Sequence, residues 1–541
     1  MTASDDILDD ILLQMGGIGK QQVIILFCLA SIIVLHSATH IAYVFTSMDS
    51  DHRCLIPECE DEITANSDLL RHLLPFNHHN KPVKCLMYSK VMDNATFGNC
   101  SSSAFNESLT VQCSTFHFYD EDFYLAREFD LLCDDKKWAL SLVGTTNTVG
   151  MFLGLTITGF ISDKFGRKRL LLIGMSACGI VGLVKTLSPS FRWFLLFELT
   201  EAIFSAGTCG CVFIMGVELV VPQKRALVGT ILNTCYTIGE ILIAVIAWWC
   251  KSWRYRTVHN ATDKALEKLR IRTMIYLSYG PCSFLILLYW ILPESLRWML
   301  SKGKIEQSKK ALRSMALLNA RHLPEDTLNK LERATSIVPT SVHFSDIMKS
   351  SRLFWRFVNC CFGWITCAFL FYGITLNSVS LYGNKYLDFI LISLTELPAY
   401  WSCNFLVNTL GRRTSICASY FITFAACVSF IFTPQTSSGI YLFIYCLGKF
   451  GATAAFYIIY VITSESFPTP FRHSVMGLCS TVGRFGSMTS PQIPLLGQFW
   501  GPLPMILFAI MSGLAGLLSL FLPETNGIKL PDTIQEAEKI K

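Results

Sequence analysis

Charge is the scarce ingredient of this sequence. Asp, Glu, Lys and Arg make up 16% of its 541 residues, against about 25% in a soluble globular chain, which argues against a water-soluble enzyme. The net charge is +5 and is spread without a basic block, so nucleic-acid binding lacks its electrostatic footprint. There is no GxxxxGK[ST] loop to cradle nucleotide phosphates, which argues against direct drive by ATP. Nor is there a Gly-x-Ser-x-Gly elbow of the hydrolase type. Outside one loop the cysteines lack metal-ligand spacing, and Cys209 and Cys211 read as small packing residues inside a span. No metal and no other cofactor is expected. Apolar surface is abundant: 52% of residues are hydrophobic and 13% aromatic, with a mean hydropathy of +0.43. That excludes disorder and leaves a multi-pass membrane protein in a lipid bilayer.

A helix crosses the hydrocarbon core with about 20 mostly apolar residues. Twelve such windows are expected, near 22–45, 138–161, 170–188, 191–214, 226–249, 273–292, 353–375, 385–407, 414–433, 438–462, 474–495 and 501–522. No basic n-region and cleavage site precede the first, which reads as a span and not as a signal peptide. The expected fold class is an all-α membrane protein.

Residues 46–137 form a long polar loop with six cysteines, Cys54, Cys59, Cys85, Cys100, Cys113 and Cys133. Three N-x-S/T sequons, at Asn94, Asn99 and Asn106, lie in the same loop. An even cysteine set beside sequons fits an oxidising, glycosylating, extracellular compartment. Six cysteines allow 15 pairings, and spacing alone does not choose among them. With this loop outside, residues 1–21 and the tail 523–541 fall in the cytoplasm. The basic turn Lys164, Arg167, Lys168, Arg169 and the linker 293–352, expected to hold short helices, then fall inside as the positive-inside rule requires. The basic segment 250–272 is placed outside against that rule, on the strength of a sequon at Asn260.

The chain repeats itself. Gly159-Phe160-Ile161-Ser162-Asp163-Lys164-Phe165-Gly166-Arg167-Lys168 closes the second span, and Asn404-Phe405-Leu406-Val407-Asn408-Thr409-Leu410-Gly411-Arg412-Arg413 closes the eighth, 245 residues on. Glu218 and Arg225 follow the fourth span as Glu465 and Arg472 follow the tenth, 247 residues on, each pair enclosing a proline. Two landmarks that agree this closely imply two six-helix halves in the same orientation, 22–292 and 353–522. Such halves hold substrate near the bilayer midplane and rock against each other.

These landmarks resemble the major facilitator superfamily. Phe129-Asp130-Leu131-Leu132-Cys133, Leu292-Pro293-Glu294-Ser295-Leu296-Arg297-Trp298, Ser464-Glu465-Ser466-Phe467-Pro468-Thr469 and Leu522-Pro523-Glu524-Thr525 are similar to signatures of its organic cation/anion/carnitine transporter branch among the solute carriers. The resemblance covers nearly the whole chain and implies a major facilitator fold with transport by alternating access. It further implies that Gly159, Asp163, Gly166, Arg167, Lys168, Glu218, Arg225, Gly411, Arg412, Arg413, Glu465 and Arg472 gate the cytoplasmic face. The glycines are expected to let helices approach closely. Asn404 and Asn408 depart from the pattern by replacing the glycine and aspartate of the first turn. The gate is therefore expected to lean on the N-terminal half, with Asp163→Asn costing far more transport than Asn408→Asp at equal surface expression.

Ionisable groups inside spans are costly and mark function. The candidates are Glu198 and Glu201 on span four, Glu240 on span five, Glu396 on span eight, Lys449 on span ten and Arg484 on span eleven, with His36 and His40 paired on span one. A guanidinium deep in a cavity suits bidentate capture of a carboxylate, and Arg484 resembles the arginine of the anion and carnitine branches. Glu396 with Tyr400, Phe371, Tyr372, Tyr236, Phe456, Tyr457 and Tyr460 offers an acid and aromatic faces for an ammonium group. Glu198 stands where the family normally has arginine, which weakens the case for a plain anion carrier; a substrate amine, a proton or Lys449 are its open partners.

The expected function is secondary-active or facilitative movement of a small organic ion across the plasma membrane, favouring a carnitine-like or amino-acid-derived zwitterion or amine. An organic cation uniporter and then an organic anion exchanger are the alternatives, and a substrate-sensing receptor on the same scaffold is the alternative from another class. Sodium or a proton as coupling ion, and the oligomeric state, stay open.

Overall fold

The computed structural model describes residues 3–540 except 50, 58, 61–68, 77–81, 91–104, 120–124, 134–135, 256–263, 322, 325, 329–330, 333–348, 382–383, 435–437, 529–530 and 532. The chain divides into a large helical unit, Met1–Tyr43, Gly144–Trp249 and Met274–Lys541, and a small unit, Val44–Val143 and Cys250–Thr273.

All twelve segments expected to span are helical. Nine helices among the described residues are long and apolar enough to cross a membrane, from Lys20–Thr46 to Gly439–Glu465. The other three fall short for visible reasons. Span three, Arg167–Lys185, carries Arg167, Lys168, Arg169 and Lys185. Span eleven, Arg472–Thr489, carries Arg484 and gives way to a single tight turn at Ser490–Gln492, where Pro491 lacks an N–H. Span twelve, Leu503–Ser519, has 17 residues.

Two spans are broken in ways that matter for the site. Span four runs as Phe191–Ser205 and Thr208–Glu218. A Cβ on the intervening Gly207 would lie 2.9 Å from that of Thr158, so glycine permits the close crossing there. Span eight runs as Lys385–Leu394 and Glu396–Thr409, pivoting on Thr395. Pro398 removes a donor from the first turn of the second piece, and Glu396 stands at its start.

The N-terminus is more than a tail. Helix Ala3–Gln14 and the turn that follows it place Leu8, Ile11, Leu12 and Met15 on one stripe, and all four are buried with Val220, Val221, Leu312 and Met315. The linker supplies helices Leu296–Ser301 and Ile305–Leu318, and the C-terminal tail supplies Ile534–Lys539.

In the small unit two short antiparallel ribbons form, His52–Cys54 against Phe116–Phe118 and Leu86–Lys90 against Phe105–Gln112. Disulfides join Cys54 to Cys113 and Cys85 to Cys133, which selects two of the pairings the sequence left open. Cys59 is disulfide-bonded as well, whereas Cys100 lies outside the described residues. So do Asn94, Asn99 and Asn260. Asn106 is described: its side-chain oxygen accepts from the Ser108 N–H at 3.0 Å in an exposed local turn. The buried Arg53 guanidinium grips Glu60 with two bonds of 2.6 Å, holding that carboxyl below the usual carboxylate range.

Candidate functional site

Two Gly-Arg turns show the repeat at atomic detail. Gly166 takes a φ of 101° and Gly411 one of 88°, a left-handed region that glycine enters without strain. Each turn presents helix-starting N–H groups to a glutamate. Glu294 accepts from Arg167 N and Lys168 N at 2.9 and 3.0 Å, and Glu524 accepts from Arg412 N and Arg413 N at 2.9 and 3.1 Å. An anion at a helix N-terminus contributes about 0.3–1 kcal/mol, more when partly buried. A Cβ on either glycine would strike that glutamate, within 2.3 Å at Gly166 and 2.6 Å at Gly411.

Beside each turn stands an arginine–glutamate cluster. Arg167 pairs with Glu218, which also accepts from Ser295 Oγ at 2.6 Å. Arg412 Nε donates to Glu465 at 3.0 Å, and Thr525 Oγ1 donates to the same carboxylate at 2.5 Å. Arg225 instead reaches Asp9 of the N-terminal helix at 2.5 Å, and Arg297 reaches the same carboxylate at 3.0 Å. Neither Asp9 nor Glu294 figured among the expected gate residues. Lys168 stacks its ammonium 3.9 Å from the Tyr289 ring, and Arg472 makes a marginal contact with Thr469 at 3.5 Å. One expectation needs correction. A Cβ on Gly159 would meet nothing within 4 Å, so it permits no close helix approach. Asp163 is exposed, and among the described residues its carboxylate has no ion-pair partner within 4.0 Å.

Glu198 and Glu201 are held inside the N-terminal half by a lysine that the sequence reading passed over. Lys185 Nζ lies 2.7 Å from Glu198 and 2.6 Å from Glu201, with all three side chains at most 4% exposed. Asn147 Nδ2 donates to Glu198 at 2.9 Å and Tyr279 Oη donates to Glu201 at 2.5 Å. These partners account for Glu198 without Lys449. The signal was available, since residue 185 falls within the expected third span.

Between the halves lies a second buried set. Lys449 Nζ sits 2.7 Å from Glu396, 2.7 Å from Thr375 Oγ1 and 3.4 Å from the centre of the Phe371 ring. Thr237 Oγ1 from span five donates to Glu396 at 2.7 Å. The acid-and-aromatic site expected for a substrate ammonium is thus filled by the protein's own lysine. Glu240 has no solvent exposure, and among the described residues no donor within 3.5 Å makes an aligned bond to either of its oxygens.

The remaining candidates gather around Arg484, which is half-buried. Tyr372, Tyr460, Tyr236 and Cys209 are its electrostatic neighbours, and no carboxylate lies within 4.0 Å of it among the described residues. His36 and His40 stack with ring centres 5.9 Å apart. His40 Nδ1 bonds Tyr236 Oη at 3.0 Å and meets Tyr372 edge-on at 5.8 Å. Phe456 stacks on Phe371 at 5.3 Å and packs against Tyr460 at 5.7 Å. Tyr457 donates to Asn404 at 2.8 Å and neighbours Tyr400 at 6.2 Å.

Halves repeated in this way, with polar sets buried in and between them, define a membrane transporter of the major facilitator class. Residues 136–491 match the model of the Major Facilitator Superfamily. The xylose transporter XylE from E. coli, in an inward-open conformation, shares the fold with a TM-score of 0.60 and 15% identity, over 95% of this chain and 99% of its own. Solute carrier family 22 member 3 of Rattus norvegicus is 30% identical over 423 residues, covering 77% of this chain and 72% of that protein. Organic cation/carnitine transporter 2 of Mus musculus is 27% identical, covering 98% and 94%. The chain belongs to solute carrier family 22 within the Major Facilitator Superfamily. It is a multi-pass membrane transporter and not an enzyme.

Proposed function

We propose that this transporter moves a small organic zwitterion or amine, carnitine-like or derived from an amino acid, across the plasma membrane by alternating access, with both termini in the cytoplasm. The observation that carries the reading is Arg484: a half-buried guanidinium with no carboxylate within 4.0 Å among the described residues. Burying a cation without a counter-charge costs several kcal/mol, and a substrate carboxylate held by two parallel N–H bonds offsets that cost. Glu240, whose carboxyl oxygens accept no hydrogen bond within 3.5 Å among the described residues, supplies the complementary group for an ammonium. Similarity to a mouse protein named for cations and carnitine is in keeping with this pairing.

Arg484→Ala is expected to abolish uptake of a zwitterion in expressing cells while sparing uptake of a simple cation. Arg484→Lys is expected to restore less than a tenth of the lost uptake, because an ammonium lacks the planar fork. Uptake of labelled carnitine, tetraethylammonium and an aryl carboxylate at matched surface expression checks both. Uptake of the cation alone, unaffected by Arg484→Ala, would instead favour the cation-uniporter reading that the buried Glu240 also supports.

A further inference from the structure

Glu240 sits on span five, fully enclosed; among the described residues no donor lies within 3.5 Å and in line with either carboxyl oxygen, with the Ser393 hydroxyl and the Glu396 carboxyl close by. Tyr236 faces it from its own helix; Glu396, Ser393 and Tyr400 from span eight; Lys449 from span ten; Tyr372 from span seven; and Tyr43 from span one. One of these groups is a cation, and it is committed. Lys449 lies 2.7 Å from Glu396 and donates its other protons to Thr375 Oγ1 and Phe371 O.

The cluster therefore holds two carboxyls and one ammonium. The contrast with the Lys185 set is instructive, because there both carboxylates receive the lysine and a further donor. A lone carboxylate in such surroundings costs several kcal/mol, and a buried acid avoids this by keeping its proton. With one proton on Glu240 the cluster is neutral and can be enclosed. Without it, the cluster is a cation acceptor.

We infer that Glu240 is a proton-binding site whose proton exchanges for the ammonium group of the substrate, so that protons leave on the side from which substrate enters the site. The balance is simple. When the site opens to water the O–H bond of Glu240 breaks, the proton passes to water, and the carboxylate takes the incoming ammonium in its place. One positive charge replaces another, so each form of the carrier can close. On the opposite side the ammonium leaves and a proton from water returns to the same oxygen. The inference rests on the reading that the substrate carries an ammonium group.

The test uses the purified full-length chain in liposomes containing a lumenal pH dye, with labelled carnitine and labelled tetraethylammonium as probes. With the lumen one pH unit more acid than the medium, the chain is expected to accumulate probe up to about tenfold, one proton leaving for each substrate entering. The lumen is expected to turn alkaline as substrate enters. In Glu240→Gln, whose side chain cannot release a proton, residual uptake is expected to be indifferent to the gradient and the dye silent, whereas Glu240→Asp retains both responses. Wild-type uptake that ignores the gradient and leaves the dye unchanged overturns the exchange while the zwitterion reading stands. Failure to take up either probe overturns that reading and the exchange with it. Because the wild-type chain alone gives a decisive dye signal, misfolding of a variant does not shield the inference.

Discussion

Replacing Lys185 with Met is expected to remove the transporter from the cell surface. The substitution leaves Glu198 and Glu201 in place with their side chains 2% exposed and no cation within reach, where Lys185 now lies 2.7 and 2.6 Å away. Removing one member of a buried ion pair costs about 3–5 kcal/mol because a charge is stranded, and here two carboxylates are stranded together. That approaches the whole stability of a marginally stable fold. Taking all the charges away is gentler. The triple change Lys185→Met with Glu198→Gln and Glu201→Gln leaves neutral amides that Asn147 and Tyr279 can still bond, and it is expected to recover most of the folded protein. Surface labelling and size-exclusion profiles of the single and triple variants compare the two, and equal loss in both would show that the lysine matters for something other than charge.

The same cluster shows where sequence reading stops. Spans, their pairing into halves and the intramembrane acids all follow from period, hydropathy and the 245-residue repeat. Lys185 escaped because it is adjacent to the end of span three, where a lysine reads as an anchor at the membrane surface. Only the tertiary packing of spans three and four shows that it turns inward. Asp9 escaped for a related reason. Its helix carries a legible apolar stripe of Leu8, Ile11, Leu12 and Met15, but that the acid beside it would meet Arg225 and Arg297 depends on contacts hundreds of residues apart. Glu294 and Glu524 were quoted as parts of motifs; their task as anions at helix starts needed the backbone to be seen. In the opposite direction, Glu396 stands out in the sequence as an acid among aromatics, yet no one-dimensional reading could show that Lys449 occupies the place beside it.

Arg167→Ala and Arg412→Ala are expected to impair transport to a similar extent. The sequence suggests an N-terminal bias, because Asn408 stands where the first turn has Asp163. In the folded chain, however, the charges that meet are Arg167 with Glu218 and Arg412 with Glu465, and each glutamate also accepts from a hydroxyl, although Arg412 grips its partner through both Nε and Nη2. Losing either arginine leaves a glutamate that is 13% or 19% exposed with only a hydroxyl donor. A partly buried charge pair cut in this way costs about 2 kcal/mol or more, enough to shift the balance between two conformations about 30-fold. Asp163 is exposed and has no ion-pair partner among the described residues, so Asp163→Asn is expected to cost less than either arginine change. Asn408→Asp is expected to cost least, since it keeps the backbone bond to Asn526 at 3.4 Å and gives up only the exposed side-chain bond from Asn408 Nδ2 to Asn404 O at 2.9 Å. Initial uptake rates at equal surface expression rank the four variants. A large loss in Arg167→Ala beside a normal rate in Arg412→Ala would restore the N-terminal bias, because matching geometry would then conceal unequal roles in the conformational change.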